Sequence, residues 1–297
     1  MSVRRRFPPF HALLARTLAV AAGAAVLGAC ATAMPGQSRD NVAMELSPEA
    51  EPTYADLVTL ALASDLVAIV TVDDQTRFPP ERAPDLPPER VRLYLETLTR
   101  NLLVSPTGVG GSLVFVTDLA REPNGDTPDL EGQDFVIFAD QVRDRPGEVQ
   151  LVARNALFPA GPRIEGRVRS VLRQLAAADR PPQITGVRDV ISVPGNLAGE
   201  SETQMFVQTQ GGTPVSLSVV RRPGMQPEWG VSLGEIVDTA ARPPEAESLA
   251  WFRFACGLPR QLPDSAFLQG DRNSQARARE DYAFVLDQLG PCERRFT

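Results

Sequence analysis

Short runs of β-branched and aromatic residues, each bounded by turn-forming residues, are the feature of this 297-residue chain that most constrains its fold. Such runs favour extended backbone, and the glycines and prolines between them separate one strand from the next. Five of these runs occupy the first half of the sequence, at 65–72, 91–104, 113–116, 134–138 and 149–153. A helical pattern over 54–63 precedes them, so the sequence predicts one β-rich domain over residues 53–160.

A connecting helix is predicted next, over 161–182, with Pro162 at its start and Pro181-Pro182 at its end. Its apolar stripe consists of Ile164, Val168, Val171, Leu172 and Leu175. Arginines flank the stripe on both sides, and Glu165 is placed to pair with Arg169 one turn later. Because arginine stems cover apolar edges well, we expect this stripe to pack on the protein itself and not on a membrane.

Apolar and polar residues alternate after residue 183, which is typical of an antiparallel meander with one solvated face. Helical spacing then returns near 233–241, 247–256 and 274–289. The predicted fold class is therefore α+β. A β-rich N-terminal domain is followed, over 183–297, by an antiparallel β-meander with C-terminal helices.

The first domain resembles the OB-type barrels of the netrin-like and TIMP-like group. The resemblance covers residues 54–158 and depends on two segments, from Ser64-Asp65 to Val72 and from Gly132 to Phe138. It implies a five-stranded OB-like barrel. It transfers no functional residue, because the hallmark cysteines of the animal members are absent and OB barrels host many unrelated functions.

Residues 1–29 have the pattern of a signal peptide. Arg4, Arg5 and Arg6 form a basic start, and the uncharged run from Thr17 to Ala29 is about 20 Å long as a helix, shorter than a ~30 Å bilayer core. These 29 residues hold four arginines and no acidic residue, so their removal would leave a net charge of −11. That charge repels nucleic acid, and we predict no nucleic-acid partner.

Leu27-Gly28-Ala29-Cys30 resembles the bacterial lipobox. The resemblance implies a diacylglycerol on Cys30, a flexible tether over 30–52, and, from Ala31, sorting to the outer membrane facing the periplasm. Cleavage at an Ala-x-Ala site is the alternative and predicts a soluble periplasmic protein. Arg4-Arg5-Arg6-Phe7 also resembles a twin-arginine signal, so both export routes stay open.

Cys256 and Cys292 are the two remaining cysteines. An oxidising periplasm allows them to pair, which by loop closure would stabilise the fold by about 4 kcal/mol. Two free buried thiols are the alternative. No C-x-x-C motif is present, so a redox role is not expected.

Lysine is absent, and the only histidine, His11, lies in the predicted signal peptide. This composition excludes lysine Schiff bases, histidine-based nucleophile systems and histidine-ligated metals. We therefore predict no catalytic residue, metal or cofactor. The first hypothesis is a non-catalytic envelope lipoprotein that binds or scaffolds a protein or glycan, and the alternative is a carboxylate-based hydrolase of envelope glycans.

Trp229, with Arg221 and Arg222 close in sequence, is the predicted ligand or partner surface, together with Glu200 and Glu202. Aromatic residues beside arginine recur in binding surfaces. The alternative is that Trp229 and Trp251 belong to the core, because each lies in a segment of apolar periodicity.

Overall fold

Two antiparallel sheets and four α-helices make up the described residues of the computed structural model, which are 51–154, 156–234, 241–268 and 270–296. The predicted α+β class is confirmed. Cys30, the signal peptide and most of the helix predicted near 233–241 lie outside the described residues. Among the residues described, no helix is both long enough and apolar enough to cross a membrane.

The first sheet contains six strands, paired in the order β3-β2-β1-β4-β5, with β6 also paired to β4. These strands are β1 (Leu66–Arg77), β2 (Arg90–Val104), β3 (Ser112–Ala120), β4 (Asp134–Gln141), β5 (Val149–Leu151) and β6 (Leu157–Pro159). All five strands predicted in this half are present, and β6 is additional.

The two outer strands of this order, β3 and β5, meet at one point only. The Val114 N–H of β3 donates to the Gly147 carbonyl, 2.8 Å away, just before β5 begins, and a single parallel bridge joins Val114 to Glu148. Beyond the bridge, no further pairing joins β3 to β5 among the described strands. The sheet is therefore curved and nearly closed, but it is not a closed barrel.

Alternate residues of β1 face two different cores, which explains why its first half is an unbroken apolar run. Val67 and Ile69 pack with helix α1 (Tyr54–Ala63), helix α2 (Pro162–Ala176) and helix α3 (Leu249–Gly257). Their neighbours Leu66, Ala68 and Val70 pack inside the curved sheet.

Helix α2 buries Ile164, Val168 and Val171 against this helical cluster, and Leu172 and Leu175 are partly buried there. The prediction that the stripe packs within the protein is therefore confirmed. The Arg169 and Glu165 side chains also pair as predicted, at 3.9 Å.

The second sheet has four strands in the order β10-β9-β8-β7, which confirms the predicted meander. They are β7 (Ile184–Pro194), β8 (Ser201–Thr209), β9 (Val215–Arg221) and β10 (Glu228–Ser232). Helix α3 and helix α4 (Arg272–Leu289) cover one face, and Met205, Leu217 and Phe254 are fully buried between them.

Cys256 and Cys292 lie in disulfide contact, with 5.2 Å between their Cα atoms, at the C-terminal ends of α3 and α4. The segment that follows Cys292 runs back along α1. The buried Asp56 carboxylate accepts hydrogen bonds from the Arg295 and Phe296 backbone N–H groups, at 2.9 and 3.0 Å, while it also caps the start of α1 at Thr53.

Candidate functional site

A cleft of about 490 Å³ opens where the edges of β3 and β5 diverge, and we call it the β3–β5 cleft. Its floor is apolar and its rim is charged. The floor includes Tyr94, Phe115 and Leu151, and the rim includes Arg82, Arg92 and Arg154. The volume falls within the ~300–1,000 Å³ range of ordinary ligand pockets.

Backbone groups of both sheet edges face this cleft. In an antiparallel pair, successive residues direct their N–H and C=O groups alternately towards and away from the partner strand. The Val114 N–H points away from β2, towards Gly147, so Val116 and Asp118 present their N–H groups on the same open side. On β5 the same alternation directs the backbone of Leu151 away from β4, because the Val152 N–H bonds to Phe138 of β4.

Arg92 and Asp118 form a two-point ion pair beside the cleft. The Arg92 Nε and Nη2 atoms donate to the two Asp118 oxygens at 2.7 and 2.9 Å, and Asp85 contacts the outer side of the same guanidinium at 3.1 Å. These hydrogen bonds lower the pKa of both carboxyl groups and raise the pKa of Arg92. Asp118 is therefore held as a carboxylate, with its charge already balanced.

Arg82 and Arg154 differ from Arg92, because no ion pair engages either of them among the described residues. The Arg82 guanidinium lies 5.7 Å from the centre of the Phe78 ring, and the side chain of Arg154 is exposed. The charge of Arg154 contributes to the lowered pKa of Asp118, which places it in the same electrostatic environment. Two positive charges that no ion pair engages in the described part of the chain thus lie at the rim.

Thr117 gives the cleft a buried polar group. The residue is only 4% exposed, it lines the cleft, and its hydroxyl has no hydrogen-bond partner in the described structure. Nearly all buried hydroxyls in folded proteins are paired, and an unpaired one costs about 1–3 kcal/mol. A ligand in the cleft would supply the missing partner only if neighbouring side chains moved, because the hydroxyl oxygen itself has almost no accessible surface.

The sequence-predicted surface has a different role in the structure. Trp229 is 8% exposed and belongs to the core of the second sheet, as the alternative interpretation held. The Arg221 Nε atom donates to the fully buried Asp281 at 2.5 Å, and Arg221 also contacts Glu280. Trp251 is half-buried, and its indole N–H donates to the Leu289 carbonyl.

The remaining predicted residues make local contacts. Arg222 pairs with Glu228 at 2.7 Å, and Glu202 accepts from the Gln204 amide. The Glu200 carboxylate accepts from two backbone N–H groups of its own loop, at 2.9 and 3.2 Å. The structure therefore brings Glu200, Glu202 and Arg221 to one end of the second sheet, where β8 pairs with β9, but it does not gather them around a cavity with Trp229.

Metal binding has no support in the described part of the chain, where no group of three acidic, histidine or cysteine side chains is placed to hold an ion. Two carboxylates line the β3–β5 cleft, Asp118 and Glu148. Each is held by an arginine, Asp118 by Arg92 and Glu148 by Arg145 at 2.9 Å.

Sequence reasoning did not find the cleft, because the strands that form it are far apart along the chain. One local signal was present. Thr117 follows Leu113 and Phe115 on the inward-facing positions of β3, so its hydroxyl interrupts an otherwise apolar face. No known protein family matches the sequence, and no curated protein is similar to it.

Proposed function

We propose that the protein is a non-catalytic binding protein of the bacterial cell envelope and that the β3–β5 cleft holds its partner. One observation carries the proposal. Around an apolar floor, the cleft has a buried hydroxyl without a hydrogen-bond partner, two arginines without an ion pair in the described chain, and the edges of β3 and β5 unpaired beyond their single bridge, although the rest of its charges are paired. Groups arranged in this way give up few existing bonds and form several new ones when a complementary ligand binds.

A glycan hydrolase is less well supported. Such an enzyme needs one carboxyl group whose raised pKa keeps it protonated as a general acid. The pKa of Asp118, which lines the cleft, is instead lowered by hydrogen bonds from Arg92. An ionised, arginine-paired carboxylate cannot donate the proton that the leaving group requires.

An OB-type barrel remains our proposal for the first sheet. Its supports are the antiparallel order β3-β2-β1-β4-β5 and the parallel bridge that brings β3 beside β5. Barrels of this type are five-stranded and partly open. The β3–β5 cleft occupies the corresponding gap.

Anchoring through a lipidated Cys30 at the outer membrane is also part of the proposal. Its support is the lipobox resemblance of residues 27–30 and the acidic, lysine-free composition that follows. Cys30→Ser would transfer the protein from the membrane fraction to the soluble fraction. A variant that still sediments with membranes after a salt wash would show that a lipid on Cys30 is not the anchor.

The binding role is tested by cross-linking in intact cells of the native bacterium. A photoreactive amino acid replaces Gln150, which is exposed and lines the cleft, and the control carries it at the exposed Arg260 in the C-terminal half. We expect light-dependent adducts from position 150 that the control does not give. Equal adducts from both positions, or none from either, would contradict a binding role for the cleft.

A further inference from the structure

We propose that the occupant of the β3–β5 cleft is an extended, acidic peptide segment of a partner protein, which adds to the open edge of β3 as a further strand. This inference rests on the proposed binding role and specifies the chemistry of the ligand. It depends on three independent features of the cleft, namely its free strand edge, its unpaired arginines and its unpaired buried hydroxyl.

The strand edge is the first feature. Val116 is 43% exposed and directs its backbone N–H and C=O away from β2, into the cleft. Asp118, two residues on, presents its own N–H on that side, while its carbonyl accepts from Arg90 at 2.5 Å. Successive outward-facing residues are about 6.6–6.8 Å apart along a strand, which is the repeat at which another extended peptide offers its own groups.

This repeat favours a peptide over a glycan. An added strand forms a ladder of main-chain hydrogen bonds, whose donors and acceptors match the edge whatever the side chains are. Sugar hydroxyls have no such repeat. Five residues of β3, from Val116 to Ala120, lie beyond the bridge at Val114, which gives an edge of about 16 Å for a short peptide.

The rim arginines are the second feature, and their positive charge favours an acidic peptide. Arg82 and Arg154 at the rim have no ion pair in the described chain, whereas Asp118 and Glu148 are each held by an arginine. A guanidinium binds carboxylates in a planar, two-point geometry. A peptide with acidic side chains would therefore give each of these arginines a carboxylate partner, and a basic one would be repelled.

The Thr117 hydroxyl is the third feature. Thr117 lines the cleft beside the edge on the inward face of β3, and its hydroxyl oxygen has almost no accessible surface, so an inward-facing polar group of the added strand would bond to it only after neighbouring side chains move. A peptide with serine or threonine at an inward position would satisfy it. Specificity would thus come from alternate side chains, and affinity from the backbone.

The test uses the membrane-extracted full-length protein and a synthetic library of end-blocked heptapeptides. Each member has two glutamates at varied positions, with valine, serine or threonine elsewhere, and a matched library has lysine in place of glutamate. We expect selective binding of glutamate members. The selected peptides should lose at least about tenfold in affinity when alternate backbone nitrogens are methylated, because methylation removes donors from one edge of the strand.

Substitutions in the protein test the same contacts that the peptide libraries test. Val116→Pro removes the outward N–H without removing a bond to β2, and it should weaken binding by about tenfold, whereas Val116→Thr keeps the N–H and should bind normally. Arg154→Gln should weaken binding by about fivefold at low salt, and Arg260→Gln, at a distant exposed site, should not. Should the proline variant fail to fold, the methylated peptides give the same information with the unaltered protein.

Several results would overturn the inference and leave the binding role intact. Peptide binding that is indifferent to both methylation and Val116→Pro would exclude strand addition. Preference for the lysine library, or no binding by either library, would exclude an acidic peptide. Cross-links from position 150 that lead to a glycan would show that the cleft binds, but that it binds another class of molecule.

Discussion

Each of the two sheets carries an arginine that is paired with an aspartate, and the surroundings of the two pairs differ. In the second sheet, Asp281 of α4 is fully buried and contacts both Arg221 and the Thr203 hydroxyl, which in turn lies 2.8 Å from the Ser192 hydroxyl. In the first sheet, Arg92 and Asp118 satisfy each other, but Thr117 one residue away has no partner.

The comparison distinguishes two kinds of buried polar group: those that help to specify the fold and those that a ligand could complete. A buried network in which every member is bonded fixes one arrangement of the elements that carry it, here β7, β8, β9 and α4. An incomplete network costs stability and persists where another molecule completes it. The Asp281 network is therefore complete, whereas the first sheet is left open where β3 and β5 diverge.

The largest expected effect on stability concerns the disulfide between Cys256 and Cys292 in the C-terminal half. Replacing Cys256 and Cys292 together by serine should lower the free energy of unfolding by about 4 kcal/mol, because the unfolded chain gains the freedom of a 36-residue loop. Urea unfolding measures this loss. A thiol probe on denatured, unreduced protein should label neither cysteine, and labelling of both would show that the bond does not form.

Asp281→Ala should have the next largest effect, about 3 kcal/mol of lost stability, because it leaves a partly buried guanidinium and a buried hydroxyl without their acceptor. Asp264→Ala is the matched control, since Asp264 is 94% exposed and pairs with Arg279 only at the surface. Urea unfolding of both variants gives the comparison. Similar losses from the two variants would mean that the Asp281 network does not stabilise the fold.

Replacing a buried threonine by valine should change stability in opposite directions in the two sheets. Thr203→Val removes a hydroxyl that is bonded to a carboxylate and should cost about 2 kcal/mol. Thr117→Val removes a buried hydroxyl without a partner and should leave stability unchanged or raise it by about 1 kcal/mol, while it weakens ligand binding. Thermal unfolding decides the signs, and a destabilised Thr117→Val would show that its hydroxyl already has a partner.

The smallest expected effect concerns acid stability. Hydrogen bonds from Arg92 lower the pKa of Asp118 in the folded state, so the pair stabilises the protein above the unfolded pKa of about 3.9 and loses that contribution as the pH falls through the folded value. Asp118→Asn should therefore flatten the dependence of stability on pH below about pH 4. Urea unfolding between neutral and acid pH tests this. A slope in Asp118→Asn equal to that of the wild type would contradict this account.

Local pattern was enough to predict most elements of the fold. Helix α1 and strand β2 begin and end within a residue of their predicted limits, although the alternation of β2 is regular only in its first half. Strand β1 continues to Arg77, well beyond the predicted end at Val72, since its polar second half is held by pairing with β2 and not by burial. Strand β6 is three residues long and depends on β4, so no local signal indicated it.

Local sequence patterns could not predict the candidate site. The cleft exists because β3 and β5 diverge after one bridge, and neither strand contains a sign of that divergence in its own sequence. The network of the second sheet joins Arg221 to a partner 60 residues away, although Asp281 did lie on an otherwise apolar face beside Ala278, Tyr282 and Val285. A charged residue on such a face indicates a buried partner without identifying it.

The hydrogen bonds from Arg295 and Phe296 to Asp56 bear on the order in which the molecule folds. They join positions about 240 residues apart, while the same carboxylate accepts the Thr53 N–H in the capping box of α1. Contacts of such sequence separation carry the largest loop-closure entropy and form after the local ones. Helix α1, although it is the first element of the described chain, is therefore among the last to reach its final set of contacts, and amide protection there should develop after that of the sheets.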